Sequence, residues 1–290
     1  MAKRPVFVVV DEAPFWREEI IEFPWSSGLS KTQKQKNIEA IHKAYKEHHP
    51  VKEVLEISSK SMQEAGVELS AFNLKKYVQT LDERVPVECI YQGSKVFLLD
   101  GPFKDLYTVS PKKAKTDERL KKSGRLIEYT YEDENFPIDP LNAFYNYIYI
   151  LALKENPDLA EHIIKYDAFT DIEYNSASGS INCQARAAAQ YCALVRLGLI
   201  DKMPSFDEYL DLIKQEDTTG SAIQKFKRDR TNDNNAPYKK GEIIIHRRSG
   251  LGTITEIKER VVIIDFPDYG SKKLDLKWCM NHCMKSEQCW

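Results

Sequence analysis

Apolar positions recur along this chain in two periods, and the change from one to the other divides it. Val6 to Val10 is a short unbroken apolar run ended by Asp11-Glu12, which reads as a buried strand. From Gln33 to Glu47, Ile38, Ile41 and Tyr45 follow one another at helical spacing, predicting a helix that Pro50 stops. Val54 to Ser58 reads as another strand. Asp139-Pro140, an N-cap residue followed by proline at the first helical position, predicts a helix burying Phe144, Tyr145, Ile148, Leu151 and Ala152. Asn182 to Leu197 predicts an alanine-rich helix with Gly198 as its C-cap, and Ser205-x-x-Glu208 is a capping box for a last short helix. Thr218 to Ala236 is polar and nearly free of apolar residues, a linker composition. Beyond it the period becomes two, over Glu242–His246, Thr253–Glu256, Val261–Phe266 and 273–278, with Gly/Pro/Asp joints between. That pattern predicts a small β-barrel. The expected fold class is α+β: a mostly helical domain with a few strands over 1–217, a linker over 218–236 and a barrel over 237–290.

Composition narrows the function. Hydrophobic residues make up 42% and charged residues 30% of the 290, which fits a globular protein and not a disordered tail. Lysine and arginine number 42 against 44 acids, so there is no nucleic-acid footprint over the whole chain and any such contact must be local. The strongest local patch is Lys112 to Arg125, with seven basic residues against two acidic ones. Lys112, Lys115, Arg119 and Lys122 would share one helix face, suited to phosphate or simply solvated. Lys225, Lys227, Arg228 and Arg230 in the linker would add weak, salt-sensitive DNA affinity. No apolar run approaches the roughly 20 residues of a membrane span, and the first is too short for a signal peptide. Six cysteines in no regular framework suggest a reduced, cytoplasmic protein. Cys279, His282, Cys283 and Cys289 lack a standard zinc spacing, and Cys89 and Cys183 read as packing residues, so no metal or other cofactor is expected.

The densest chemistry lies in Val87 to Phe97, shortly after Leu69-Ser70-Ala71-Phe72-Asn73-Leu74. In a helix, Glu88, Gln92 and Lys95 would form one stripe of acid, amide and amine at i, i+4 and i+7. Such a stripe facing a pocket can bind a polar substrate and move protons. Asp171 and Glu173 alternate with Ile172 and Tyr174; on a strand both acids would project to one face.

The order of these pieces resembles the NADAR family, where a Ser-Asn-Phe segment precedes a Glu-His-Tyr-Phe-Gln-x-x-Lys helix. The resemblance spans about residues 55 to 197. Leu69 to Leu74 is similar to the first segment and Glu88 to Phe97 to the second. Ser110 to Arg125 resembles the family's basic stretch, and Leu141 to Leu159 its helix ending in Asn-Pro-x-Leu. The chain looks closer to the antitoxins paired with DarT-type DNA ADP-ribosyltransferases, through Gln33 to Ile38, Glu56 to Ser61 and Phe169 to Asn175. The family implies N-glycosidic hydrolysis; the branch implies removal of ADP-ribose from guanine in DNA, with ADP-ribosylated DNA and a cognate DarT-type toxin as partners. The residues that resemblance and chemistry single out for catalysis are Glu88, Lys95, Lys60, Asp171 and Glu173. Ser58, Ser59, Ser70, Phe72, Asn73, Gln92, Arg119, Arg125, Phe136, Asn182 and Gln184 are the expected substrate contacts.

The chemistry stands without the family. Cleaving an N-glycosidic bond builds oxocarbenium-like charge at the anomeric carbon, which a carboxylate stabilises or relieves by activating water. Protonating the departing base helps. Glu88 is the first choice for the carboxylate. Lys95 can pair with it, clamp a phosphate, or attack the ring-opened sugar as an imine-forming nucleophile, and Lys60 competes for those roles. The family's Asp-x-x-Trp-Gly pattern is missing, so the sequence does not choose between Asp171 and Glu173. Phe136 stands where the family has tryptophan and can stack on a base or fill the core. Asn182 and Gln184 open a helix whose free N–H groups suit a phosphate, unless Asn182 simply caps it. The tail from Lys240 to Leu274 resembles the SH3/Tudor-like modules at the ends of some bacterial helicases. Two other functions fit the residues: an N-glycosidase acting on a small nucleotide-like metabolite, and a non-enzymatic antitoxin that binds toxin or DNA.

Overall fold

A computed structural model describes residues 1–174, 182–203, 205–213, 239–246, 250–258, 261–267, 270–275, 279 and 283–285. Two compact units emerge: Met1–Val96 with Gly101–Lys122 and Glu128–Ala222, and Phe97–Asp100 with Ser123–Ile127 and Ile223–Trp290. In chain order the elements of the first part are β1 (Ala2–Val9), β2 (Trp16–Phe23), α1 (Lys31–His48), β3 (Val54–Glu56), α2 (Glu64–Glu68), β4 (Lys75–Val78), β5 (Glu83–Pro86), α3 (Val87–Gly93) and β6 (Lys95–Phe97). There follow α4 (Pro111–Thr116), α5 (Arg119–Lys122), β7 (Leu126–Tyr131), β8 (Glu134–Phe136), α6 (Ala143–Lys154), α7 (Pro157–Ile163), β9 (Ala168–Thr170), α8 (Gln184–Arg196) and α9 (Phe206–Ile213). The architecture is mixed α+β.

A four-stranded sheet, ordered β2-β1-β9-β3, organises the larger unit. β1 is antiparallel to β2 and β9, and β3 runs parallel to β9 in the register Val54↔Ala168, Leu55↔Phe169, Glu56↔Thr170. The apolar run of β1 is continuous because both its faces are covered. Val6 and Val8 pack with Ile38, Ile41 and Tyr45 of α1, while Phe7 lies under Arg186 of α8. Each such buried Val, Ile or Phe contributes roughly 1.5–3 kcal/mol. α1 begins at Ser30, whose hydroxyl accepts the Gln33 N–H. α6 is buried almost all round and packs on the alanine face of α8. The Ser205/Glu208 capping box forms at the start of α9.

Parallel pairing of β3 and β9 aligns their carboxyl ends, the place where open sheets commonly receive ligands. After β3 the chain turns tightly through Ser58–Ser61, and α2 packs back on this turn at Gly66. A Cβ there would overlap the Glu56 carbonyl oxygen and Ser61 Oγ, so only glycine allows the approach.

Four local expectations change. α3 ends at Gly93, whose Cα abuts the Tyr107 ring, and Ser94 closes the helix through its N–H to Ile90 O; Lys95 therefore starts a strand. The basic stretch is not one helix. It breaks at Asp117, whose carboxylate takes the Arg119 N–H and caps a second turn, so Lys112, Lys115, Arg119 and Lys122 do not share a face. The helix expected from Asp139-Pro140 starts instead at Ala143, after a turn in which Pro140 O accepts the Ala143 N–H. β9 stops at Thr170, so Asp171 and Glu173 lie on a turn and not on a strand.

In the smaller unit, β10 (Ile243–His246), β11 (Gly250–Lys258), β12 (Val261–Phe266), β13 (Gly270–Asp275) and β14 (Cys283–Lys285) pair antiparallel in the order β13-β12-β11-β10-β14. Ile244, Ile254, Val262, Ile264, Phe266 and Cys279 form its core. Among the described residues this is an open sheet, without pairing between β13 and β14. The expected linker over 218–236, His282 and Cys289 fall outside the described residues, as does Asn175 of the motif begun at Phe169.

Gly66→Ala should lower stability by about 1–3 kcal/mol through overpacking of the turn after β3, read as a shift in the urea midpoint. An unchanged midpoint would mean that the turn can move away at no cost.

Candidate active site

One cavity of about 360 Å³ opens at the carboxyl ends of β3 and β9. The turn after β3 gives it Ser58, Ser59 and Lys60, and the turn after β9 gives it Asp171, Glu173 and Tyr174. Across from them stand Ser70 and Phe72, then Glu88, Tyr91 and Gln92 of α3 with Lys95 of β6. Lys115, Tyr145, Asn182 and Gln184 complete the lining. Gln184 ties the two sides together: its Oε1 accepts the Ala71 N–H at 2.8 Å and its Nε2 donates to Ile57 O at 2.6 Å.

Glu88 sits in the first turn of α3, where the helix dipole favours a negative charge, and is only 5% exposed. Its Oε1 accepts from Gln92 Nε2 at 2.8 Å, and Gln92 Oε1 in turn accepts from Lys95 Nζ at 2.7 Å. The acid, amide and amine thus form a hydrogen-bonded chain, although the lysine comes from a strand. Lys95 Nζ also lies 4.4 Å above the Tyr91 ring. Lys60 Nζ donates to Ser59 Oγ at 2.8 Å, and Lys115 Nζ lies 5.4 Å from the Phe72 ring. The cavity therefore has carboxylates within and three ammonium groups around it.

The two acids of the β9 turn differ. Glu173 is exposed and pairs with Lys34 Nζ at 3.4 Å, a surface contact of small worth. Asp171 accepts the Glu173 N–H on Oδ1 at 3.0 Å, and its carboxyl is pushed up to about 8. Burial is the main cause and the nearby Glu56 carboxylate the second; the Glu173 N–H and Lys115 oppose them. Burial pushes the neighbouring Glu56 carboxyl up as well, so the pair holds a shared proton near neutral pH. Glu56 itself is 1% exposed and accepts from Thr170 Oγ1 at 2.5 Å and Ile172 N at 2.9 Å. Burial also pushes the Tyr145 phenol and the Cys183 thiol well above their usual ranges, so both stay neutral and Cys183 is a poor nucleophile.

Four expected contacts lie elsewhere. Asn73 is exposed and its Nδ2 holds Val67 O at 2.8 Å. Arg119 is bound by Asp105 at 2.6 Å and Asp117 at 2.9 Å, which occupies its guanidinium. Arg125 is exposed and is not among the lining residues. Phe136 fills the core between Phe144 and Phe206, at 5.0 and 5.1 Å. Asn182 lines the cavity but does not cap α8, whose N-cap is Cys183. Tyr91, Tyr145 and Tyr174 complete the site without having been singled out for it, and Lys115, expected on a basic helix face suited to phosphate, lines it too. For Tyr91 a signal existed, since it lies one helical turn from Glu88.

The family model described as DarT1-associated NADAR antitoxin matches residues 2–222. The chain belongs to this family. NADAR proteins are generally N-glycosidase-like hydrolases, and the association makes a DarT-type toxin the cognate partner of this antitoxin. No curated protein matches the chain. The match covers the NADAR domain with every cavity-lining residue and stops short of the β10–β14 sheet. Among the described residues of this NADAR protein, no helix is long and apolar enough to cross a membrane.

The proton on Asp171 has a consequence for folding. In the unfolded chain Asp171 ionises near the ordinary carboxylate value of 3.8, whereas the folded chain keeps the proton to about 8. The unfolded state then binds fewer protons between these limits, so stability falls as pH rises, by at most about 1.4 kcal/mol per pH unit for this group. Asp171→Asn should gain stability relative to the parent as pH is raised from 5 to 8, measured by urea unfolding at each pH. A constant difference would place the proton elsewhere.

Proposed function

We propose that this NADAR antitoxin hydrolyses the bond between ADP-ribose and a guanine base in DNA, reversing the action of its DarT-type toxin in the cytoplasm. The observation that carries the reading is a single cavity in which a buried carboxylate, Glu88, and an acid whose carboxyl burial pushes up, Asp171, stand among three lysines. The lysines Lys60, Lys95 and Lys115 suit a diphosphate. Phe72, Tyr91, Tyr145 and Tyr174 offer faces for a base or ribose, and Ser58, Ser59, Ser70, Gln92, Asn182 and Gln184 offer polar contacts.

In this mechanism Asp171 gives its proton to the departing base as the anomeric C–N bond breaks and the bonding pair leaves with the base. Glu88 stabilises the positive charge growing on the sugar and takes a proton from the water that forms the new C–O bond. Solvent returns the proton from Glu88 to Asp171. Glu173, at the rim with Lys34, orients substrate and does not transfer protons. A lysine imine is the covalent variant; borohydride would trap protein on ADP-ribosylated DNA only if Lys60 or Lys95 forms it.

We assign residues 1–217 to catalysis and 218–236 to a linker. Residues 237–290 form an accessory SH3/Tudor-like module, a reading supported by five short antiparallel strands around one apolar core. Incubation with an oligonucleotide bearing ADP-ribose on guanine should yield unmodified DNA and free ADP-ribose. Glu88→Gln should lower the rate by about 10²–10⁴-fold and leave oligonucleotide binding intact. Retained activity in the variant would remove Glu88 from the chemistry. Failure of oligonucleotides to bind or compete with a small ADP-ribosylated nucleoside would transfer the activity to a metabolite.

A further inference from the structure

Behind the cavity, three side chains from three elements form a buried hydrogen-bonded chain that ends beside Asp171. His42 of α1 lies 2.8 Å from Thr170 Oγ1 of β9, and Thr170 Oγ1 donates to Glu56 Oε2 of β3 at 2.5 Å. Glu56 Oε1 accepts the Ile172 N–H at 2.9 Å, which anchors the turn that carries Asp171. Neither His42 nor Thr170 lines the cavity. Thr170 has one hydroxyl proton. Because that proton goes to Glu56, the threonine oxygen must accept from His42 Nε2, which fixes the Nε2–H form of the ring. Burial and Lys46 hold the imidazole down at about 4, so it is neutral at working pH and adds no charge. Burial pushes the Glu56 carboxyl up, and the donors Ile172 N–H, Thr170 Oγ1 and Ser58 oppose that push, so its ionised form depends on them.

We infer that His42 and Thr170 are positioning residues for the reaction proposed above: their hydrogen-bonded chain fixes Glu56, whose other oxygen holds the Ile172 N–H and with it the turn that presents Asp171 to the cavity. The inference rests on the hydrolase reading for its kinetic form but not for its structural one. Other groups face Asp171: Glu173 from its own turn, Lys115 from α4, Tyr145 and Tyr149 from α6, and Cys183 ahead of α8. The tyrosines and the cysteine are neutral, and Glu173 and Lys115 act in opposite directions, so Glu56 is the neighbour that decides. If Glu56 lost a donor it would compete for the shared proton, and Asp171 would ionise at lower pH.

An acid catalyst loses activity as pH rises through its pKa, so the alkaline limb of the kcat–pH profile reports Asp171. Profiles would be measured with an oligonucleotide carrying ADP-ribose on guanine. Thr170→Val should move the alkaline limb down by about one pH unit, while Thr170→Ser, which keeps the hydroxyl, should match the parent. His42→Leu should shift it the same way by less and His42→Gln should restore it, which covers the case of a valine variant that does not fold. An unmoved limb in both Thr170→Val and His42→Leu overturns the inference, as does a uniform loss of rate at every pH that serine fails to rescue. A second readout needs no substrate: carbon-13 NMR titration of the Asp171 carboxyl in the free protein, where Thr170→Val should lower the midpoint by a similar amount. If the parent releases no ADP-ribose yet this midpoint falls, the proposed function fails and the relay stands. If the parent is active and the midpoint stays put, the relay fails and the function stands.

Discussion

The site depends on one buried contact: the Glu56 carboxylate clasped by the Thr170 hydroxyl and the Ile172 N–H at the end of a parallel strand pair. An isolated carboxylate at 1% exposure would cost several kcal/mol, and removing its donors would leave that cost unmet. The β3–β9 register solves this locally, because Glu56 pairs with Thr170 across the ladder and the next turn supplies the second donor. The same register decides where the chain leaves the sheet. Asp171 follows Thr170 directly, so the acid that shares a proton with Glu56 is delivered to it by the backbone.

The opposite wall is built on a different principle. Glu88 needs no buried acid beside it; it has the first turn of α3 and the amide of Gln92. Two acids in one cavity are thereby given different surroundings. One is buried beside another acid, neutral phenols and a thiol, the other has a helix start and a donor. Such separation is how paired carboxylates come to serve as acid and base in the same reaction. The lysines complete the arrangement. Lys60 and Lys95 are half-buried and Lys115 exposed, so their charges sit where a diphosphate can remain partly solvated.

Much of this was legible in the sequence where the chemistry is local. Glu88 and Gln92 share a helix face because four residues make about one turn, and the serine turn after β3 follows a strand that its apolar run announces. Expectations failed where a side chain's partner was remote. α3 ends at Gly93, where the missing side chain admits the Tyr107 ring, a contact that no spacing within Val87–Phe97 reveals. Arg119 looked like a phosphate ligand until Asp105 and Asp117 closed on it, and Phe136 looked like a stacking platform until α6 and α9 covered it. His42, Thr170 and Glu56 were invisible as a unit for the same reason. They are 128 and 114 residues apart along the chain, and only the sheet register joins them.

The fate of the basic stretch bears on what the site recognises. Had Lys112 to Arg125 been one helix, a single-signed face would have offered a track for several phosphates. The break at Asp117 divides it, Arg119 is spent on two aspartates and Lys122 meets Glu118 at 2.5 Å. Lys115, on the near side of the break, is the one that reaches the cavity lining. On the hydrolase reading, affinity then comes mainly from the modified nucleotide held in the cavity and less from the strand around it. A shallow dependence on salt belongs with such a site, because few backbone phosphates are neutralised on binding. On the same reading, what is recognised is the lesion and not the sequence that carries it, as the proposed clearing of every marked base requires.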